Sequence, residues 1–201
     1  GRFSDFQAVL KLKGKPLNVA KADLKSIVEN DEIRTIINVL GTGTRDVFDI
    51  SRLKFNRVII ATDADVDGLH IQCLLLTLFH QEFSDLIERG HVYIACPPLY
   101  SVKYKGKVIW LLNDEKRDQF VNTHADAQNL EFKRFKGLGE MNPKELRDTT
   151  LDPARRVLKR VTMEDGVLAA KLVTELMEDK NAERRRLFLA EHSRKIKELD
   201  V

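Results

Sequence analysis

The stretch RVIIATDADVDGLH, Arg57 to His70, constrains the fold more than any other part of the chain. An apolar run, Val58 to Ala61, is followed by Asp63, Asp65 and Asp67 at every second position and then by Gly68. Beyond the glycine, Ile71, Leu74, Leu75, Leu78, Phe79, Leu86 and Ile87 keep mostly helical spacing as far as Gly90. HVYIAC, His91 to Cys96, is a second apolar strand. Strands that are apolar on both faces belong to parallel sheets covered by helices. Strand, helix, strand in this order is a βαβ unit with a right-handed crossover, so the expected class is α/β.

The rest of the chain supplies smaller elements. Ala8 to Leu12 is an expected short strand, followed by a Lys-Gly-Lys turn. Leu24, Ile27 and Val28 mark one helical face; Ile33, Ile36, Ile37 and Leu40 mark another, which Gly41 ends. LGTGT is a loop, and LYSVKYKGKVIWLLN is a hairpin turning near Lys105-Gly106. LEFKRF is a further strand and KGLGE a basic, glycine-containing loop. Asn142 is an N-cap with Pro143 at the first helical position. From Thr162 the pattern is helical, with Leu168, Leu172, Val173, Leu176 and Met177 on one face, and a charge-rich helix follows from Asn181. Residues 1–140 are expected to form the α/β part, including the hairpin, and residues 141–201 a mainly helical tail.

Composition narrows the class without choosing a function. Of 201 residues, 43% are hydrophobic and 32% charged, enough for one sizeable domain plus an appendage. A net charge of +3 tolerates a polyanionic partner without demanding one. Cys73 and Cys96 lie in apolar segments without CxxC spacing, as reduced core residues of a cytoplasmic protein do. No apolar run is long enough to span a membrane, and GRFSDFQ lacks a signal-peptide profile. The missing initiator Met suggests a piece of a longer protein.

Three carboxylates at alternate positions repel one another, and a hard cation is the usual reason to gather them. An EF-hand loop opens as D-x-D-x-D-G, but it needs a bidentate carboxylate at its twelfth position, where this chain has Leu74, and a helix in front. That reading is rejected. A solvated acidic turn, a nucleotide-sugar DxD site and a magnesium site for phosphodiester chemistry remain. Position favours a metal site, since ligands in open α/β sheets bind at the carboxyl ends of strands. Lys11, Lys13 and Lys15 around Gly14, and Lys133, Arg134 and Lys136 before Gly137, Gly139 and Glu140, add basic residues on flexible loops. Such loops approach phosphates closely, which turns the reading towards nucleic acid.

KLKGKPLNVAKA, EIRTIINVLGTG, VIIATDADVDGLHI, CPPLY and RFKGLGEMNPKEL, in this order and spacing, resemble the B subunit of bacterial type IIA DNA topoisomerases, that is, gyrase B or its topoisomerase IV counterpart. The resemblance spans nearly the whole chain. It implies a Toprim domain, Rossmann-like with a mostly parallel sheet and flanking helices, and a mainly helical tail that contacts the A subunit. It implies Mg²⁺, with Mn²⁺ or Ca²⁺ substituting, held by Asp63, Asp65 and Asp67. DNA-contacting positions by the same resemblance are Lys13, Lys15, His70, Arg134 and Lys136; Gly14, Gly68, Gly137, Gly139 and Glu140 shape the loops. Lys13 matches a position near cleaved DNA and quinolone-type inhibitors. The family's catalytic Glu belongs to an EGDSA-type motif expected upstream of Gly1, its nucleophilic Tyr to the A subunit of an A2B2 tetramer, and its ATP to an N-terminal module. No complete catalytic set is therefore expected in this chain, and Tyr93, Tyr100 and Tyr104 read as packing residues. A non-catalytic module that binds nucleic acid is the competing function.

Overall fold

The computed structural model describes residues 1–177, apart from 125, 127 and 128. The charge-rich helix expected from Asn181 and the side chains of Leu176 and Met177 lie outside the described residues. The chain forms two compact units, each assembled from three separate stretches of sequence. Of the described residues, the first comprises those in Gly1–Lys13, Arg57–Gln72 and His91–Val161; the second comprises those in Gly14–Asn56, Cys73–Gly90 and 162–177.

The first unit holds the βαβ strands. β1 (Val58–Ile60) pairs in parallel with β2 (Val92–Ala95), with Val58 opposite Val92 and Ile60 opposite Ile94. Ile60, Val92 and Ile94 are buried, as a sheet covered on that face requires. On the other side of β2, β6 (Leu158–Arg160) runs antiparallel, within a segment where sequence periodicity offers no strand. A second sheet contains β3 (Tyr100–Tyr104), β4 (Lys107–Leu111) and β5 (Phe132–Arg134) in the order β4-β3-β5, all antiparallel. The β3–β4 hairpin turns at Lys105 and Gly106 as expected, both with positive φ (47° and 76°). That backbone suits the right-handed strand twist of a two-residue hairpin. Between β4 and β5 lies α5 (Asp114–Thr123), capped by the Asn113 side chain on the Lys116 N–H at 3.0 Å.

One expected strand does not form. Residues 8–12 adopt no regular structure, and Val9 and Leu10 are 67% and 41% exposed. A lone extended segment cannot pair its own N–H and C=O groups, so apolar content alone does not make a strand. What anchors this amino-terminal stretch is polar and aromatic: the Gln7 amide donates to the Leu151 carbonyl at 2.7 Å, and the Arg147 guanidinium lies 4.2 Å from the Phe3 ring centroid.

The second unit is helical. α1 (Leu24–Glu29) and α2 (Asp31–Leu40) are capped by Asp23 and Asn30, and α2 ends in a left-handed Gly41. The helix expected after Gly68 is two helices, α3 (Val66–Glu82), which belongs to this unit from Cys73 onward, and α4 (Ser84–Glu88). The break falls at Phe83 (φ −139°, ψ 38°), which is almost wholly buried and whose ring packs tilted against Phe79, centroids 5.4 Å apart. Apolar spacing continues across the break, which is why it reads as one helix. The helix Met163–Met177 supplies Ala169 and Val173 to the buried set.

The loop after α2 is fixed by a long-range ion pair. Arg45, at φ 48°, donates from Nε to Glu82 Oε2 at 2.7 Å and from Nη2 to Oε1. Glu82 is only 4% exposed, and its hydrogen bonds hold the Arg45 guanidinium pKa above its usual range. Arg45 is 42% exposed, so water discounts the pair's strength, but losing the arginine leaves a buried carboxylate without that partner. Arg45→Met is expected to lower stability by about 2 kcal/mol in chemical denaturation; a change below about 0.5 kcal/mol would show that the pair contributes little.

Candidate metal centre

β1 stops at Ile60, so the three aspartates do not continue a strand or line one of its faces. Each has a different local setting, and all three are exposed. Asp63 lies in the loop after β1, Asp65 immediately before α3, and Asp67 in the first turn of α3, where negative charge complements the helix dipole. Asp65 is the helix cap: its Oδ1 accepts the Gly68 N–H at 2.7 Å while its carbonyl accepts the Leu69 N–H at 3.0 Å.

Gly68 makes this turn possible. A Cβ there would stand 2.1 Å from the Asp63 carbonyl oxygen and 2.9 Å from the Asp63 nitrogen. These are backbone atoms, which cannot swing aside, so the chain passes from strand to helix in this tight form only with glycine.

The basic loop expected around Gly137 meets the first aspartate. Asp63 Oδ1 accepts the Leu138 N–H at 2.7 Å, across 75 positions of sequence. A Cβ on Gly137 would lie 2.9 Å from the Asp63 carboxyl carbon. The loop is closed on itself by the Lys136 N–H donating to Glu140 Oε2 at 2.8 Å and by a short 3₁₀ turn, Leu138–Glu140. Its base is pinned by buried Phe135, whose N–H donates to the Leu99 carbonyl at 2.8 Å. Thr62, Ala64, Pro98, Leu138 and Met141 line a small, mainly apolar recess beside it.

The donor set fits a hard, partly hydrated cation. An ionised carboxylate offers about four lone-pair positions. Asp63 and Asp65 each commit Oδ1 to a backbone N–H, which leaves the second oxygen of each for a ligand. Mg²⁺ takes one or two protein carboxylates and completes its shell with water and phosphate oxygens. Among the described residues, no three His, Cys, Asp or Glu side chains gather as a metal-binding group. Asp63 and Asp65 thus each keep one carboxylate oxygen beyond these backbone contacts, and no closed protein cage forms among the described residues.

The other expected positions are distributed more loosely. Lys13 and Lys15 are exposed on either side of Gly14, whose φ is 79°. His70 is half-buried, on the first part of α3. Arg134 is exposed on β5, opposite Tyr100, and Lys136 is exposed at the start of the closed loop. Gly139 faces open space, so close approach does not explain it. What residue types do not reveal is the Leu138 N–H, a backbone donor; the only sequence signal is the pair of glycines around it. Tyr100 is buried, its hydroxyl donating to Asp114 at 2.6 Å, and Tyr104 packs edge-on against Phe120 at 5.3 Å.

Residues 1–97 match the Toprim domain model, and residues 127–190 match the model for the carboxyl terminus of the DNA gyrase B subunit. The DNA gyrase B subunit of Haloferax volcanii is 46% identical over 201 residues, which is 100% of this chain and 31% of that protein. The Thermus thermophilus protein of the same name is 46% identical over 205 residues, covering 100% of this chain and 32% of the relative. The Thermotoga maritima protein, also a DNA gyrase B subunit, is 44% identical over 200 residues, again 100% of this chain and 31% of the relative. The chain therefore belongs to the B-subunit family of type IIA DNA topoisomerases, gyrase B and its topoisomerase IV counterpart, and carries a Toprim domain of mixed α/β structure. It spans about a third of the length of these relatives.

Capping and charge can be separated at Asp65. Asn caps helices as well as Asp does, so Asp65→Asn is expected to change thermal stability by less than about 0.5 kcal/mol, and Asp65→Ala to cost about 1 kcal/mol. Equal losses in the two variants would show that the Gly68 N–H contact is not a cap.

Proposed function

We propose that this chain is the metal-binding, DNA cleavage and religation part of an ATP-dependent type IIA topoisomerase B subunit. The observation that carries the reading is Asp63, held at the carboxyl end of β1 between the Gly68 turn and the Leu138 N–H, with the basic loop beside it. Asp63 and Asp65 are the residues that would hold Mg²⁺, and Asp67 would serve a second ion by family analogy. When bound, Mg²⁺ supplies Lewis-acid stabilisation of the oxygen that leaves phosphorus.

The reaction is a reversible transesterification. The oxygen of a tyrosine on the A subunit, the nucleophile, bonds to DNA phosphorus as the bond to the 3′ oxygen breaks, and the phosphotyrosine link conserves the energy for resealing. The chain's own residues hold and orient. Lys13, Lys15, His70, Arg134 and Lys136 would fix the duplex backbone, with quinolone-type inhibitors near Lys13. Residues 1–140 are the proposed Toprim part and residues 141–201 the proposed tail that contacts the A subunit of an A2B2 tetramer. ATP would be bound by an N-terminal module of the parent protein.

The second reading, a module that binds DNA and cuts nothing, draws on the absence of a three-ligand metal group among the described residues. Cleavage assays separate the two. In the full-length protein combined with its A subunit, Asp63→Ala is expected to abolish Mg²⁺-dependent cleavage while ATP hydrolysis persists; normal cleavage by this variant would refute the metal assignment. Each phosphate contact adds close to one to the steepness of salt dependence. Lys136→Ala is therefore expected to lower the slope of log affinity against log salt by about one in DNA-binding titrations, and an unchanged slope would remove Lys136 from the interface.

A further inference from the structure

We infer that the Gly137–Leu138 peptide is the positioning group of Asp63, and that it couples occupancy of the metal centre to the placement of Lys136. The inference rests on the metal assignment proposed above. Asp63 is exposed, and a carboxylate in water is free to rotate. The Leu138 N–H removes that freedom by fixing Oδ1 at 2.7 Å, which leaves Oδ2 as the oxygen available for a cation. The contact is also a cap supplied from a distance. Leu138 opens the 3₁₀ turn, and the residue before it, Gly137, has no side chain to accept the turn's first N–H. Asp63 accepts it instead. Any larger residue at position 137 would push on that carboxylate, because even a Cβ would lie 2.9 Å from its Cγ and 2.9 Å from its Oδ1.

The coupling follows from how short the loop is. Phe135 is anchored through the Leu99 carbonyl, and the Lys136 N–H is bonded to Glu140 Oε2. Moving Asp63 therefore strains the Leu138 contact, and the closed turn passes the strain to Lys136. By linkage the effect is reciprocal: an ion that orders Asp63 orders the loop, and a loop held on a phosphate strengthens the ion's binding. Partners that orient a metal ligand typically change metal affinity by about 10–100-fold when removed.

The test uses the full-length protein and Mn²⁺ as the probe, titrated by electron paramagnetic resonance without DNA. Leu138→Pro deletes the N–H. Proline suits the first position of a helical turn, and the preceding Gly137 is extended (φ −154°, ψ 165°), as a residue before proline prefers. Leu138→Ala keeps the N–H and measures the loss of the side chain alone. Gly137→Ala keeps the N–H and crowds the carboxylate. Leu138→Pro and Gly137→Ala are expected to bind Mn²⁺ about tenfold or more weakly than Leu138→Ala. Amide hydrogen exchange should show residues 136–141 protected by Mn²⁺ in the parent protein and in Leu138→Ala, but not in the other two. Equal Mn²⁺ affinity in Leu138→Pro and Leu138→Ala, or no metal-dependent protection in the parent, would overturn the coupling while leaving the metal assignment standing. Equal Mn²⁺ binding by the parent and Asp63→Ala would overturn the assignment and the coupling together.

Discussion

The candidate site depends on one close approach, that of Gly68 to the backbone of Asp63. With no room for a Cβ at position 68, the chain turns from β1 into α3 within a few residues. That turn decides where the aspartates go. Had the strand continued, alternate residues would have shared one face and three carboxylates would have crowded together. The turn instead assigns them different tasks: one bonded to a distant loop, one capping α3, one in the helix's first turn. Asp63 and Asp65 each commit one carboxylate oxygen to a backbone N–H.

The second constraint comes from the other side of Asp63. The 136–140 loop, which opens on the exposed Lys136, brings a backbone donor and a glycine without space for a side chain to the same carboxylate. Phosphoryl-transfer chemistry needs both an anionic pocket for the ion and cationic groups for the phosphates, and these would repel or neutralise one another if freely mixed. The loop meets Asp63 through its N–H, and the closing Lys136–Glu140 contact is made by the lysine's backbone and not by its ammonium.

The features legible in the sequence are the local ones. β1 and β2 follow from short apolar runs, the Lys105-Gly106 turn from its dipeptide, the end of α2 from Gly41, and the start of the helix at Pro143 from Asn142. The last is a complete capping box, Asn142 receiving the Glu145 N–H and Glu145 receiving the Asn142 N–H. Features that depend on distant partners are not legible. Ala8–Leu12 has strand composition and no strand, whereas Leu158–Arg160, with two charges in three residues, becomes one because β2 offers a free edge. The Phe83 break hides inside continuous helical spacing, and the Arg45–Glu82 pair spans 37 positions. α5 carries a readable signal, Asn113 before Asp114 and Glu115, but its polar surface gives no apolar period. For the site, sequence identifies the aspartates and the glycines; the contact between them belongs to the fold.

The most direct test of the central claim, that Asp63 and Asp65 hold the ion, is anomalous scattering from crystals of the full-length protein with DNA and its A subunit, grown in Mn²⁺. The predicted result is an anomalous peak about 2 Å from a carboxylate oxygen of each residue, a hard-cation bonding distance, with Leu138 N–H still on Asp63. A well-ordered Asp63 and Asp65 without such a peak, and Mn²⁺ bound elsewhere, would contradict it.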